Sequence, residues 1–153
     1  VNRFVETPNG PARIEATVTP LEKVARARPS VPVQLARIGY AVLSSVFVVC
    51  VLVQVFFAGM GAFGADWSYH VSFVHFLEPL PLLMVPVAFV GRLSWGLRLL
   101  PLALVVLIGA QYAFANAAVP AAALHPVNAL LILLIGLLLA RSGWSAVVAH
   151  RRG

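Results

Sequence analysis

The chain has 153 residues, of which 61% are apolar and only 10% charged, with 11 Lys and Arg against 5 Asp and Glu. A soluble domain carries roughly a quarter charged residues, so this composition excludes an ordinary water-soluble fold. The net charge of +6 is not laid out as a polar face interleaved with aromatics, which excludes a nucleic-acid-binding module.

Residues 1–33 form a region of their own, with Pro8, Pro11, Pro20, Pro29 and Pro32 among mixed charges. This composition predicts a Pro-rich cytoplasmic tail, with a short helix possible over Thr19–Arg28 that would have Pro20 at its first position. No cleavable leader is expected, because the first apolar run begins late and is too long for a leader's apolar core.

Residues 34–149 predict a four-span membrane domain. The spans fall at about 35–61, 71–90, 99–118 and 126–140, the last extendable to 149. Each is near the ~20 residues that cross a ~30 Å hydrocarbon layer. The alternation of barrel strands is missing, so the spans are helices, whose backbones satisfy themselves in lipid. Span one holds Gln54, Phe57 and the single cysteine, Cys50, which leaves no partner for an intramolecular disulfide. A turn with Gly59, Gly61 and Gly64 leads to Asp66, Trp67 and Tyr69. Span two opens on His70 and carries His75, Glu78, Pro79, Pro81 and Pro86. Span three ends near Gln111 and Phe114, and span four opens on His125-Pro126. Residues 150–153, HRRG, are a basic cytoplasmic end.

Every Lys and Arg lies before or at the start of span one, between spans two and three, or after span four. The positive-inside rule then places both termini in the cytoplasm of a bacterial cell, N-in and C-in across the inner membrane. Trp95 and Trp144 mark the inner interface, and Trp67 and Tyr69 the outer one. The lipid bilayer is the first expected partner. Other membrane protein subunits are the second, and nucleic acid is not one.

Gln54-Val-Phe-Phe57-Ala and Gln111-Tyr-Ala-Phe114-Ala share a Q-x-x-F-A pattern, and each is followed by a histidine that opens the next span. The expected fold is therefore all-α, an integral membrane up-down four-helix bundle made of two tandem helical hairpins. The polar side chains of the spans gather in the outer half. They are Gln54, His70, His75, Glu78, Gln111, His125 and Asn128.

Two histidines on two helices suggest b-type haem, whose iron needs two imidazoles facing each other. In up-down order spans two and four are diagonal, which sets His70 and His125 across the bundle as candidate axial ligands. His75 is the rival ligand, about a turn and a half deeper. Phe57 and Phe114 would flank the macrocycle, and Gln54 and Gln111 would bond its propionates or a histidine's second nitrogen. The structural alternative makes both histidines ordinary interfacial helix starts, with Pro126 at the first turn of span four. Glu78 is the costliest residue in the membrane. It reads as a proton or quinol contact, or as a neutral acid bonded to His75 or Gln54.

Q-x-x-F-A-G, a loop, then a histidine starting the next helix, together with Gln111 followed by L-H-P-V-N-A-L, resembles one half of the haem A synthase architecture over residues 40–140. That family has eight spans in two four-helix halves, and each half can hold a haem between histidines of its second and fourth helices. The resemblance implies ligands at His70 and His125. The chain departs from the family in having one half, no cysteine pair in the outer loop and no glutamate in span one. It therefore implies haem binding and not haem A synthesis. The layout is also similar to small uncharacterised four-span bacterial membrane proteins.

The expected function is a b-type haem-binding electron-transfer protein of the inner membrane, part of a larger redox or respiratory assembly. The alternative is a cofactor-free accessory subunit of a larger membrane complex. A third reading is a small transporter that moves protons through Glu78 and His75. No phosphate loop, hydrolytic triad or zinc spacing is present, so the sequence assigns no catalytic residue.

Overall fold

The computed structural model describes residues 30–151, with side chains through Ala149. The expectations for the N-terminal tail before Ser30, and for the side chain of His150, lie outside the described residues. Five α-helices follow in order: α1 (Val31–Ala62), α2 (Ser68–Leu77), α3 (Pro79–Val90), α4 (Trp95–Ala115) and α5 (Leu124–Arg151), with a single 3₁₀ turn, Ala121–Ala123, before the last. Among the described residues there is no strand. Among the described residues, four helical segments are long and apolar enough to cross a membrane: Val31–Ala62, Ser68–Val90, Trp95–Ala115 and Ala121–Ala149. They are called spans one to four below.

Local chemistry sets the boundaries. Span one starts with Pro32 in its first turn, where no backbone donor is needed, and the Ser30 carbonyl accepts from Gln34 N–H at 3.1 Å. Span two is one rod with a flaw at Glu78. Pro79 and Pro81 lack the N–H groups that would meet the carbonyls of His75 and Leu77, so the ladder loses two bonds within three residues. Glu78 N–H still reaches Val74 O at 3.0 Å, which keeps α2 and α3 joined. Span two closes on Arg92 in the left-handed region, φ 50°. Leu93 N–H then bonds Ala88 O at 3.0 Å, which ends the helix as a glycine cap would. The glycine, Gly91, sits one residue earlier because span one passes there. A Cβ on it would stand 3.4 Å from the Arg37 backbone nitrogen.

The spans neighbour one another in chain order, and the ring closes between spans four and one. α1 packs most extensively against α5 and also against α2 and α3, while α4 packs against α3 and α5. The backbones of spans one and three do not approach closely, and neither do those of spans two and four, so these pairs lie across the ring from each other. Glycines bring spans one and four together. A Cβ on Gly143 would lie 3.1 Å from Ala41 Cα, and one on Gly136 would lie 3.1 Å from the Phe47 ring. Tyr40, Phe47, Met84, Leu104 and Leu139 are fully buried between the spans.

Polar groups in this core serve the backbone. Pro101 has no N–H to offer the Leu97 carbonyl, and the buried Tyr40 hydroxyl donates to that carbonyl at 2.8 Å. Arg37 Nε donates to Gly91 O at 2.9 Å. The Arg98 guanidinium stacks over Phe89 and Trp95, 5.0 and 4.8 Å from their ring centres. This end of the bundle is referred to as the arginine end, and the other, with His70 and His125, as the histidine end.

The expected spans match four helical segments, with shifted limits. Span one begins at Val31 rather than about 35, because Pro32 starts a helix instead of preventing one. Spans two and three begin at Ser68 and Trp95, ahead of about 71 and 99. Span three ends at Ala115 rather than 118, where Asn116 turns back to bond the Tyr112 carbonyl at 2.8 Å. α5 runs through Arg151 without a break after 140.

Candidate functional site

A cavity of about 590 Å³ opens in the histidine end. All four spans line it: Val51, Gln54 and Ala58 from span one, His70 and Val74 from span two, Ile108, Gln111 and Tyr112 from span three, and His125 and Ala129 from span four. The walls are mostly aliphatic, and the polar groups among them are few.

His70 and His125 come together across this cavity from opposite sides of the ring. Their ring centres are 6.2 Å apart and their planes are inclined at 58°. Each imidazole is held in the same way. His70 Nδ1 lies 3.1 Å from the Gln54 backbone carbonyl, and His125 Nδ1 lies 3.2 Å from the Gln111 backbone carbonyl. A carbonyl can only accept, so each Nδ1 carries the proton and donates it. That leaves each Nε2 as the nitrogen with a free lone pair. Holding Nδ1–H on a carbonyl is also how proteins orient a metal-bound imidazole. Trp67 buttresses the first ring edge-on at 5.8 Å. Trp67 is itself seated against Gly61, where any Cβ would fall 2.6 Å from its indole.

The two glutamines use their side chains differently. Gln54 Nε2 donates to the His70 carbonyl at 2.8 Å, and its buried Oε1 has no partner. Gln111 Oε1 accepts from Asn128 Nδ2 at 2.8 Å, and the same Nδ2 is 2.8 Å from the Leu107 carbonyl. At both positions it is the backbone carbonyl of the glutamine, rather than its amide, that meets the imidazole.

The other expected site residues lie outside the cavity wall. Phe57 packs between Phe73 and Tyr69, with ring centres 5.4 and 5.9 Å away. Phe114 is half-buried on α4 and does not line the cavity either. The His75 side chain is 69% exposed on the flank of span two, and its Nδ1 is 3.2 Å from Glu78 Oε2. Glu78 also accepts a short hydrogen bond from the Tyr112 hydroxyl. Tyr112 was not among the expected site residues, although it follows Gln111 directly. The signal was available: a phenol inside the second Q-x-x-F-A motif, at the depth of an otherwise expensive carboxyl.

In the loop before span two, Asp66 takes the first free donors of α2. Its Oδ1 accepts from Ser68 N–H at 2.9 Å and its Oδ2 from the Ser68 hydroxyl at 2.7 Å. These bonds, the backbone one first, hold the Asp66 carboxyl below its ordinary range. Among the described residues, no cluster of three or more His, Cys, Asp or Glu side chains is placed to hold a metal ion.

Comparison with known proteins returns little. No curated protein and no solved structure matches the chain. The sequence profile of a family of unknown function, DUF6220, matches residues 54–122, a segment that opens on Gln54, includes His70, Glu78, Gln111 and Tyr112, and stops before His125.

Proposed function

We propose that this chain is a multi-pass membrane protein that binds b-type haem between His70 and His125 and passes electrons within a larger redox assembly. Its two tandem hairpins, with both termini on the cytoplasmic side, form an up-down bundle whose histidine end is the outer one.

One observation carries the haem reading. The two imidazoles sit on the diagonal spans, each with Nδ1 committed to a carbonyl, at a centre-to-centre distance of 6.2 Å. Two imidazoles bound on opposite sides of one metal, at about 2 Å per nitrogen, have ring centres roughly 6.3 Å apart. The surroundings fit the group. The cavity volume falls within the ~300–1,000 Å³ typical of cofactor sites. Ala58 and Ala115 leave room on spans one and three, to either side of the histidine axis. Bound haem would supply one-electron chemistry. The protein's own part is to hold both rings in one tautomer and to exclude water with aliphatic walls.

The accessory-subunit reading has its own support. Ring pairs pack at about 4.5–7 Å with nothing between them, so His70 and His125 can also be a packed pair that closes the bundle. A reduced-minus-oxidised visible spectrum of protein purified in mild detergent from haem-replete cells decides between the two. The haem reading expects a low-spin b-type spectrum, and a colourless protein leaves the accessory subunit. Orientation is tested separately in a Cys50-free background. A cysteine at Ser68 should react with an impermeant reagent from outside the cell, and one at Ser142 should not. The reverse labelling would invert the proposed topology.

A further inference from the structure

His75, Glu78 and Tyr112 form a polar cluster to which the haem reading gives no role, although Tyr112 also lines the cavity. It joins two spans, with Tyr112 donating to Glu78 Oε1 from α4 and His75 Nδ1 lying 3.2 Å from Oε2 on the same span as Glu78. Among the described residues these are the side chains bonded to the Glu78 carboxyl. The cluster opens on the flank of the bundle: the His75 side chain is 69% exposed and that of Glu78 34%.

Counting donors narrows what can bind there. The Tyr112 hydroxyl has already given its proton to Glu78. A carboxylate offers about four acceptor sites, and the two bonds observed leave acceptor capacity to spare. With Nδ1–H turned to Glu78, His75 keeps an Nε2 lone pair and no partner. The cluster is thus rich in acceptors and short of donors. On the membrane reading this flank faces hydrocarbon, where an unmet carboxyl is expensive. A molecule that reaches it through the lipid has an apolar body, and one that satisfies it carries O–H donors on that body.

We propose that His75, Glu78 and Tyr112 bind the hydroxyl-bearing ring of a lipid-borne hydroquinone. One ring hydroxyl donates its hydrogen to Glu78, which His75 and Tyr112 hold in place. The inference rests on the membrane reading and is independent of haem, so it succeeds or fails whether or not the cavity is filled.

The test is saturation binding of decylubiquinol and decylubiquinone to the purified full chain in phospholipid nanodiscs, measured as retention above empty discs. The expected result is saturable binding at one site per chain, tighter for the quinol than for the quinone. Exchanging a charge-assisted acceptor for a neutral one in Glu78→Gln should cost roughly tenfold in quinol affinity and little in quinone affinity. His75→Ala should weaken the quinol as well, and Ser72→Ala on the same helix should not. Helical content measured on each variant separates lost binding from lost fold, and Glu78→Gln keeps a partner for Tyr112 if bulkier changes disrupt packing. Retention no greater than that of empty discs overturns the proposal. So does wild-type affinity in both Glu78→Gln and His75→Ala. Binding that survives Glu78→Gln but is lost in His70→Ala would put the ligand in the cavity, which also overturns it. A chain that stays in solution without detergent would instead count against the membrane reading.

Discussion

The two hairpins of this protein make one contact in common and then diverge. In both, the histidine that opens the second helix gives its Nδ1 proton to the backbone carbonyl at the glutamine position of the first. In the first hairpin the glutamine amide donates back to the histidine's own carbonyl and leaves its oxygen buried without a partner. In the second, the glutamine oxygen is taken by Asn128, which also ties down Leu107. The first hairpin has Phe73 three residues after its histidine, where the second has Asn128. What repeats is therefore the clamp on the imidazole. The side-chain network is closed in one hairpin and open in the other, and the open acceptor belongs to the first.

Substitutions probe this difference between the hairpins. The largest effect is expected where the two hairpins meet along spans one and four. Gly143→Leu drives a side chain into Ala41 and Tyr40, both fully buried. It should destabilise the bundle by about 1–3 kcal/mol or more, because overpacking forces backbone shifts. Unfolding in detergent mixtures of rising denaturing strength measures it. A neutral Gly143→Leu would mean that the hairpins are not packed face to face.

Next come the two networks themselves. Asn128→Leu strands the Gln111 oxygen and should cost about 1–3 kcal/mol, the penalty for leaving a buried partner unmet. Gln54→Leu removes one donated bond and an oxygen that already lacks a partner, so about 0.5–1.5 kcal/mol is expected. The same unfolding assay ranks them, and equal costs would erase the asymmetry between the hairpins.

The smallest effect is at the loop that leads into span two. The folded Asp66 carboxyl titrates below its ordinary value of 3.8, because Ser68 bonds its charged form. Its contribution to the start of α2 is fully present above that ordinary value and is lost as pH falls through the lowered one. The loop around Pro120 has no carboxylate to match it. Hydrogen exchange at Ser68 N–H should therefore quicken relative to exchange at the start of α5 as the solution is acidified. Asp66→Ala should show the faster relative exchange already at neutral pH. No change in either experiment would remove Asp66 as a cap.

Much of this was legible in the sequence. Apolar length located four spans, because a helix that satisfies its own backbone needs little else to be recognisable in such a chain. The Q-x-x-F-A…H repeat singled out His70 and His125, and in the structure the two rings line one cavity. The role of the glutamines was not legible, since a sequence displays side chains and the contact is made by main-chain carbonyls. Phe57 fits its own hairpin, against Tyr69 and Phe73, for a similar reason. Helical spacing shows which residues share a face but not which neighbour that face will meet. The bond from Tyr112 to Glu78 joins residues 34 apart on different spans, and only the packing of α4 beside span two brings them together.

Whether His70 and His125 act as one ligand pair is read from the spectra of single-residue variants. Visible and electron paramagnetic resonance spectra would be taken on protein purified identically with His70→Ala, His125→Ala or His75→Ala. A low-spin bis-imidazole signature is expected in wild type and in His75→Ala, and its loss in each of the other two. Retention of that signature in His70→Ala, with its loss in His75→Ala, would contradict the pairing.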